Sequence, residues 1–312
     1  MVVVAAVGLA ASGDALASRT GWGRVWVGTL LLAGATSLPE LVTTSTAAWL
    51  NAADLAAGNV FGSNMLNIVI LTMVLSIFGT ASVFRNLSRG QVFVALLAIG
   101  LTGLATLMGA LDFGTKWAVI SPAALIILAV YVAGSQRVFN RGVEPIGPAA
   151  KPGSWSLRKG WTVFLLSSAG ILAAAPFLAS SAQDIAQNTG ISESFIGVLA
   201  VAFVSSLPEI VTTVAALRMG APDLAVANIY GTNAFNMLSL GLADFFYSDG
   251  SLFGQMDNSV LLAGLAAILL MIMGTSQLIR RRPSRWISFT EPSSLSILLL
   301  YGLGLALVFY TG

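Results

Sequence analysis

Two glutamates, Glu40 and Glu209, stand in nearly identical settings 169 residues apart, each flanked by hydroxyls at helical spacing. Thr36, Glu40 and Thr43 or Thr44 fall at i, i+4 and i+7 or i+8, and Ser205, Glu209 and Thr212 or Thr213 do the same, so each set lines one helix face. Pro39 and Pro208 precede the glutamates. A proline there removes a backbone donor, kinks the helix and leaves carbonyls one turn earlier without their usual partner. Carboxylate, hydroxyl and freed carbonyl oxygens are hard ligands, suited to Ca²⁺ and Na⁺ and not to soft metals. For any single hydroxyl the competing reading is a bond back to the carbonyl one turn earlier. A second stripe follows each glutamate: Asn59, Ser63 and Asn67 recur every four residues, and so do Asn228, Thr232 and Asn236. Gly58-x-x-x-Gly62 and Ala227-x-x-x-Gly231 also read as packing faces, yet duplication of the whole stripe beside paired carboxylates favours ligation.

The elements that must carry these residues are membrane helices. The chain has 312 residues, 56% hydrophobic and only 9% charged, against roughly 25% charged in soluble domains. Ten mostly apolar segments, at about 1–16, 22–49, 54–79, 91–111, 117–134, 160–182, 193–217, 222–246, 258–279 and 292–310, approach the length that crosses a bilayer. Their long continuous runs of Leu, Ala and Val do not alternate as β-barrel strands do. The expected fold is an all-α polytopic membrane protein. A net charge of +2 gives no nucleic-acid-binding surface. The lack of cysteine and histidine excludes disulfides, thiolate nucleophiles, Cys/His zinc sites and Ser-His-Asp triads. No phosphate-binding glycine motif is present, so no nucleotide cofactor and no ATP-driven motor are expected. An intramembrane hydrolase is disfavoured, because the Ser and Glu of the motifs have no His or Lys base.

Alternate loops carry fourteen basic residues on one side, from Arg19 and Arg24 to Arg285, against Lys116 alone on the other. Cytoplasmic loops collect Lys and Arg, so both termini are expected outside the cytoplasm. Residues 135–159, rich in Pro, Gly and basic side chains, read as a cytoplasmic linker between halves 1–134 and 160–312. The first segment is shorter than its counterpart near Trp161–Asp184, which reads as a shortened N-terminus; Met1–Ala11 lacks the basic start of a signal peptide. Asp14 and Asp184 recur near the ends of segments one and six and read as interfacial or hinge residues.

Sliding the chain on itself gives the organisation. With an offset of 169 and no gap, Thr36–Asn67 falls on Ser205–Asn236 with 16 of 32 positions identical, including Pro39, Glu40, Asn59, Gly62, Asn64 and Asn67. Chance likeness between apolar helices would match Leu and Ala, not Pro, Glu and Asn. Each half holds five spans, and an odd number starts the second copy on the opposite side of the membrane. Two inverted five-helix repeats then meet near the midplane, the arrangement that alternating access requires. An acidic residue at that depth costs at least about 2.5 kcal/mol, which marks Glu40 and Glu209 as functional. The nearest candidate for an ion pair, Arg218, lies nine positions beyond Glu209, about 13 Å along a helix. Two unpaired carboxylates must hold protons or a cation.

Ala35-Thr36-Ser37-Leu38-Pro39-Glu40 with Gly58-Asn59-Val60-Phe61-Gly62-Ser63-Asn64, repeated as Ser205-Ser206-Leu207-Pro208-Glu209 with Ala227-Asn228-Ile229-Tyr230-Gly231-Thr232-Asn233, resembles the α-repeats of the calcium/cation antiporter superfamily, and within it the prokaryotic sodium/calcium exchangers. The resemblance covers the ten-span layout. It implies ion sites between spans two, three, seven and eight, with Glu40 and Glu209 shared by Ca²⁺ and Na⁺ and Thr36 and Ser205 beside them. It further implies hydroxyl ligands from Ser37, Ser206, Ser63 and Thr232, carbonyl ligands from Ala33 and Ala202, and Asn67 and Asn236 completing the centre. Spans one and six would slide against the rest. Well-studied members carry Asp where this chain has Asn236, Thr at Ser205, Ser at Thr232, and Gly at Ala35, Val204 and Ala227. The centre therefore keeps at most two negative charges, enough for one Ca²⁺.

These residues predict a secondary antiporter in a prokaryotic inner membrane, exchanging Na⁺ for Ca²⁺. Its partners would be those ions and lipid, with no nucleic acid and no obligate protein partner. H⁺/Ca²⁺ or broader divalent exchange is the alternative, because the same glutamates can carry protons. The proton-coupled branch has a further Glu where this chain has Phe61-Gly62 and Tyr230-Gly231. A cation channel and a non-transporting scaffold are the remaining readings.

Overall fold

The computed structural model describes residues 2–78, 87–113, 115–117, 119–141, 155–189, 193–280 and 292–312. Regular structure among them is helical, apart from one isolated bridge between Trp117 and Ile120. Helix is what long apolar runs must form in lipid, where every backbone group has to be satisfied within its own segment. Helix α1 spans Val2–Thr20, α2 spans Arg24–Thr36 and α3 spans Leu38–Trp49. They are followed by α4 (Ala53–Phe78), α5 (Gly90–Ala110) and α6 (Pro122–Arg141). The second half contains α7 (Leu157–Thr189), α8 (residues 193–205), α9 (Leu207–Arg218), α10 (Pro222–Ala243), α11 (Asn258–Arg280) and α12 (Pro292–Thr311).

Helices occupy all ten positions expected from the sequence. Among the described residues, α4, α5, α6, α11 and α12 are long and apolar enough to cross a bilayer, and α2 with α3 does so as one rod bent by 48°. Helix α10 falls short of that criterion, with Asp223, Asn228, Thr232, Asn233 and Asn236 set into it. Helix α6 runs beyond residue 134 to Arg141 and α7 begins at Leu157, so helix enters the expected linker from both sides; residues 142–154 lie outside the described residues. So do Arg85, Lys151, Arg281, Arg282 and Arg285 of the charge count, and the side chain of Asp184.

The packing is reciprocal. Helix α1 lies on α7 and α9, while α7 lies on α3; α10 packs on α5, while α4 packs on α11. Every residue of α4 from Leu55 to Thr72 is buried, and so is every residue of α10 from Leu224 to Ala234. A helix buried on all sides is a core element, and these two carry the asparagine stripes. The ends are latched across the halves in the same reciprocal way. Asp54 Oδ1, at the start of α4, accepts from Asp257 N at 2.8 Å, and Asp223 Oδ1, at the start of α10, accepts from Ser88 N at 2.8 Å and Gln91 Nε2 at 3.0 Å. Each carboxylate thereby meets the entry to a helix of the other half, where the helix dipole favours negative charge.

Asp14 forms an ion pair with Arg24 at 2.7 Å, joining α1 to the start of α2. Its partial exposure limits that pair to about 1 kcal/mol or less. Asp244 is more consequential. It is fully buried, and its carboxylate accepts from Ser121 N at 2.7 Å, Leu252 N at 2.8 Å and Ser251 Oγ at 3.3 Å, which ties two connections together at one end of the bundle. Asp244→Ala would strand two buried N–H groups and is expected to destabilise by about 3 kcal/mol. Thermal unfolding in detergent should register that loss.

Candidate functional site

Local sequence breaks both glutamate helices at the same point. Ser37 (φ −86°, ψ 9°) and Ser206 (φ −81°, ψ 5°) leave the helical region just before Pro39 and Pro208, which occupy the first turn of α3 and α9. Proline suits a first turn because those N–H groups have no intrahelical partner. Each break puts a glutamate in the opening turn of a new half-helix, at its positive end. One turn upstream of each break the helix widens into a π stretch, Val27–Leu32 in α2 and Gly197–Val201 in α8. These stretches, which the sequence reading does not anticipate, pack against α10 and α4 respectively, each in the other half. Gly231 and Gly62 permit that approach: a Cβ on Gly231 would lie 2.6 Å from Thr29 Cα, and one on Gly62 would lie 2.5 Å from Val198 Cα.

Glu40 and Glu209 are completely buried, and each is reached by a hydroxyl from the other half. Ser206 Oγ donates to Glu40 Oε1 and Ser37 Oγ lies the same 3.4 Å from Glu209 Oε1; Ser37 Oγ is also 3.2 Å from Thr232 Oγ1. Thr36 and Ser205 point across in the same manner, toward Asn228 Oδ1 and Asn59 Oδ1, each at 3.4 Å. Their hydroxyls also bond to the carbonyls of Ala33 (3.2 Å) and Ala202 (3.3 Å), which accept as well from Ser37 N (2.9 Å) and Ser206 N (3.1 Å). Back-bonding holds for Thr43 and Thr212, which donate to Pro39 O and Pro208 O. The same hydroxyls accept from Asn59 Nδ2 at 2.8 Å and Asn228 Nδ2 at 3.2 Å, which turns the amide oxygens of Asn59 and Asn228 inward.

Deeper in the stripe, four amides bind one another across the halves. Asn236 Nδ2 donates to Asn64 Oδ1 at 2.9 Å, and Asn67 Nδ2 donates to Asn233 Oδ1 at 2.8 Å. Of the eight buried side-chain oxygens without a hydrogen-bond partner among the described residues, six belong to α3, α4, α9 and α10: Glu40 Oε2, Glu209 Oε2, Asn67 Oδ1, Asn236 Oδ1, Ser63 Oγ and Thr213 Oγ1. A buried polar atom left unpaired costs about 1–3 kcal/mol, so six such atoms among the α3, α4, α9 and α10 side chains call for a partner, which a bound cation or an ordered water can supply. All are hard oxygen donors and two belong to carboxylates, the donor set of Ca²⁺ or Na⁺. Among the described residues no group of three or more acidic, Cys or His side chains could hold a metal ion, so any cation here rests on two charges and neutral oxygens.

The twelve residues expected at the centre, Ala33, Thr36, Ser37, Glu40, Ser63, Asn67, Ala202, Ser205, Ser206, Glu209, Thr232 and Asn236, are all completely buried. Sequence spacing treats Thr212 and Thr213 alike; the structure separates them, with Thr212 bonded and Thr213 Oγ1 unpaired. Asn64 and Asn233 were visible as repeat-matched residues, but nothing in the sequence shows that they hold Asn236 and Asn67.

A bundle with two broken helices facing each other through buried carboxylates defines a polytopic membrane carrier. The family model for the sodium/calcium exchanger protein matches residues 1–135 and 159–310, and the chain belongs to the sodium/calcium exchanger family. It is 27% identical over 267 residues, 81% of either chain, to a protein of Alkalimonas amylolytica provisionally named antiporter CaxA. Over 122 residues, 38% of this chain and 34% of the relative, it is 36% identical to the sodium/calcium exchanger MaX1 of Methanosarcina acetivorans. A solved structure of the sodium-calcium exchanger NCX_Mj shares the fold, with a TM-score of 0.71 at 19% identity over 98% of this chain and 94% of that one. The protein is thus an integral-membrane cation antiporter.

Proposed function

We propose that the protein moves Ca²⁺ against Na⁺ by alternating access, with the cations held between α2–α3, α4, α8–α9 and α10. The observation that carries this reading is the set of six unpaired buried oxygens, four neutral and two from carboxylates that have no basic partner among the described residues. Glu40 and Glu209 would neutralise one Ca²⁺ or share Na⁺. Ser37, Ser206, Ser63, Thr232, Asn67 and Asn236 would supply neutral oxygens, and Thr36, Ser205, Ala33 and Ala202 would flank them. The complete burial of all twelve fits a closed intermediate between inward and outward states. The reciprocal packing of two halves with five spans each supports an inverted repeat, in which one closed site can open to either side. The reading makes the chain a carrier and not an enzyme, residing in a prokaryotic inner membrane with both termini outside the cytoplasm, its halves joined through residues 135–159.

The test is ⁴⁵Ca²⁺ uptake into reconstituted vesicles under separately imposed gradients. Na⁺-loaded vesicles should accumulate Ca²⁺ only while an outward Na⁺ gradient persists. Uptake driven by a pH gradient without Na⁺ would replace this reading with H⁺/Ca²⁺ exchange, and single-channel currents in a planar bilayer would replace it with a channel.

A further inference from the structure

Helix α5 contributes none of the residues expected at the centre, yet one of its side chains is bonded into it. Thr102 is completely buried; its hydroxyl donates to Ala98 O at 2.9 Å, which leaves its lone pairs to accept. Asn64 Nδ2 fills that role at 3.1 Å and also donates to Asn233 O at 3.2 Å. Both hydrogens of the Asn64 amide are then committed, so its oxygen must point the other way, where it accepts from Asn236 Nδ2 at 2.9 Å. That bond in turn directs Asn236 Oδ1, buried and without a partner, away from Asn64. Each step fixes the next because an amide has distinct donor and acceptor ends.

The other half has no such start. The position 169 residues after Thr102 is Met271, which offers no hydroxyl. Among the described residues Asn233 Nδ2 reaches Asn64 O alone, at 3.4 Å, while its own oxygen accepts from Asn67 Nδ2 at 2.8 Å. One of the two amide ligands is therefore anchored through α5 and its counterpart is not.

We propose that Thr102 is a positioning residue for cation binding: through Asn64 it orients the Asn236 oxygen and so sets the affinity of that side of the site. The same relay accounts for an amide at position 236, since a carboxylate there would face Asn64 Oδ1 with no proton between them. The proposal rests on the reading above in which Asn236 is a cation ligand.

The experiment compares Thr102→Val, Thr102→Ser, Asn236→Ala and the Thr102→Val/Asn236→Ala double variant in the ⁴⁵Ca²⁺ uptake assay, with half-saturation and maximal rate measured for each. Thr102→Val should raise the half-saturating Ca²⁺ concentration about three- to tenfold, the effect of one lost hydrogen bond, with the maximal rate within about twofold. Thr102→Ser, which keeps the hydroxyl, should match the parent, and the double variant should match Asn236→Ala alone. Thr102→Ala carries the same expectation as Thr102→Val should the latter not insert. The proposal is overturned if Asn236→Ala raises the half-saturation while Thr102→Val does not. It is equally overturned if the Thr102→Val factor persists undiminished on top of Asn236→Ala. An Asn236→Ala variant with the parent's half-saturation overturns the ligand reading first, and this proposal with it.

Discussion

Glu40→Gln and Glu209→Gln are each expected to reduce Ca²⁺ transport about 100-fold or more while leaving the protein folded. Glutamine keeps the size and the Oε1 acceptor that Ser206 and Ser37 approach, so the substitution removes the charge and turns the unpaired Oε2 into an amide donor. With one carboxylate gone, a bound Ca²⁺ would carry an uncompensated positive charge in a fully buried centre. Removing one partner of a buried ionic arrangement costs about 3–5 kcal/mol, and every 1.4 kcal/mol is about a factor of ten. Stability should not fall with it. Without a cation, two buried carboxylates that have no basic partner among the described residues must hold protons, so replacing one by a neutral amide of the same size leaves the cation-free protein no less stable. Thermal unfolding without Ca²⁺ should show an equal or higher midpoint for each variant, and addition of Ca²⁺ should no longer raise it. The double variant should transport no worse than either single one by more than about twofold, because residues that act as one unit are not additive. Transport preserved in Glu40→Gln would remove the carboxylate pair from the mechanism.

The helical class, the ten positions and the two carboxylates were legible because each has a local chemical signature. Runs of apolar residues fix helix in lipid, and an acidic residue inside such a run has few structural reasons to be there. The break at Ser37 and Ser206 could be read from the following proline, although the size of the bend, 48° between α2 and α3, could not. The choice of which oxygens remain unpaired was not legible. Thr43, Thr44, Thr212 and Thr213 have equivalent spacing, and only the positions of Asn59 and Asn228 decide that Thr213 alone keeps a free hydroxyl oxygen. Thr102 was invisible for a related reason. A Thr in an apolar helix bonds back to its own turn, and whether its remaining lone pairs serve another helix depends on packing. The repeat even misleads there, since its mirror position is Met271. The π stretches lie against helices of the other half, and no local pattern in the sequence marks them.

Those contacts make Gly62→Ala and Gly231→Ala the other substitutions with a large expected effect. Both glycines lie in fully buried stretches of helix, where Ala would ordinarily improve helix propensity by about 1 kcal/mol. Here an added Cβ would meet backbone: Val198 Cα at 2.5 Å and C at 2.8 Å for Gly62, and Thr29 Cα and O at 2.6 Å for Gly231. Backbone cannot rotate aside as a flexible side chain can, so the π stretch and the asparagine helix must separate. Overpacking of this kind costs about 1–3 kcal/mol. The functional cost is larger, because the same contact sets how far Asn59 and Asn228 reach toward Ser205 and Thr36 in the other half. Each variant is expected to lose transport about tenfold or more and to unfold at a lower temperature. Val198→Ala should not rescue Gly62→Ala, since the obstructing atoms are main-chain. Gly100→Ala, whose added Cβ would meet nothing within 4 Å, supplies the control and should behave as the parent. Rescue by Val198→Ala, or equal losses in Gly100→Ala, would show that close backbone approach is not what the motif glycines provide.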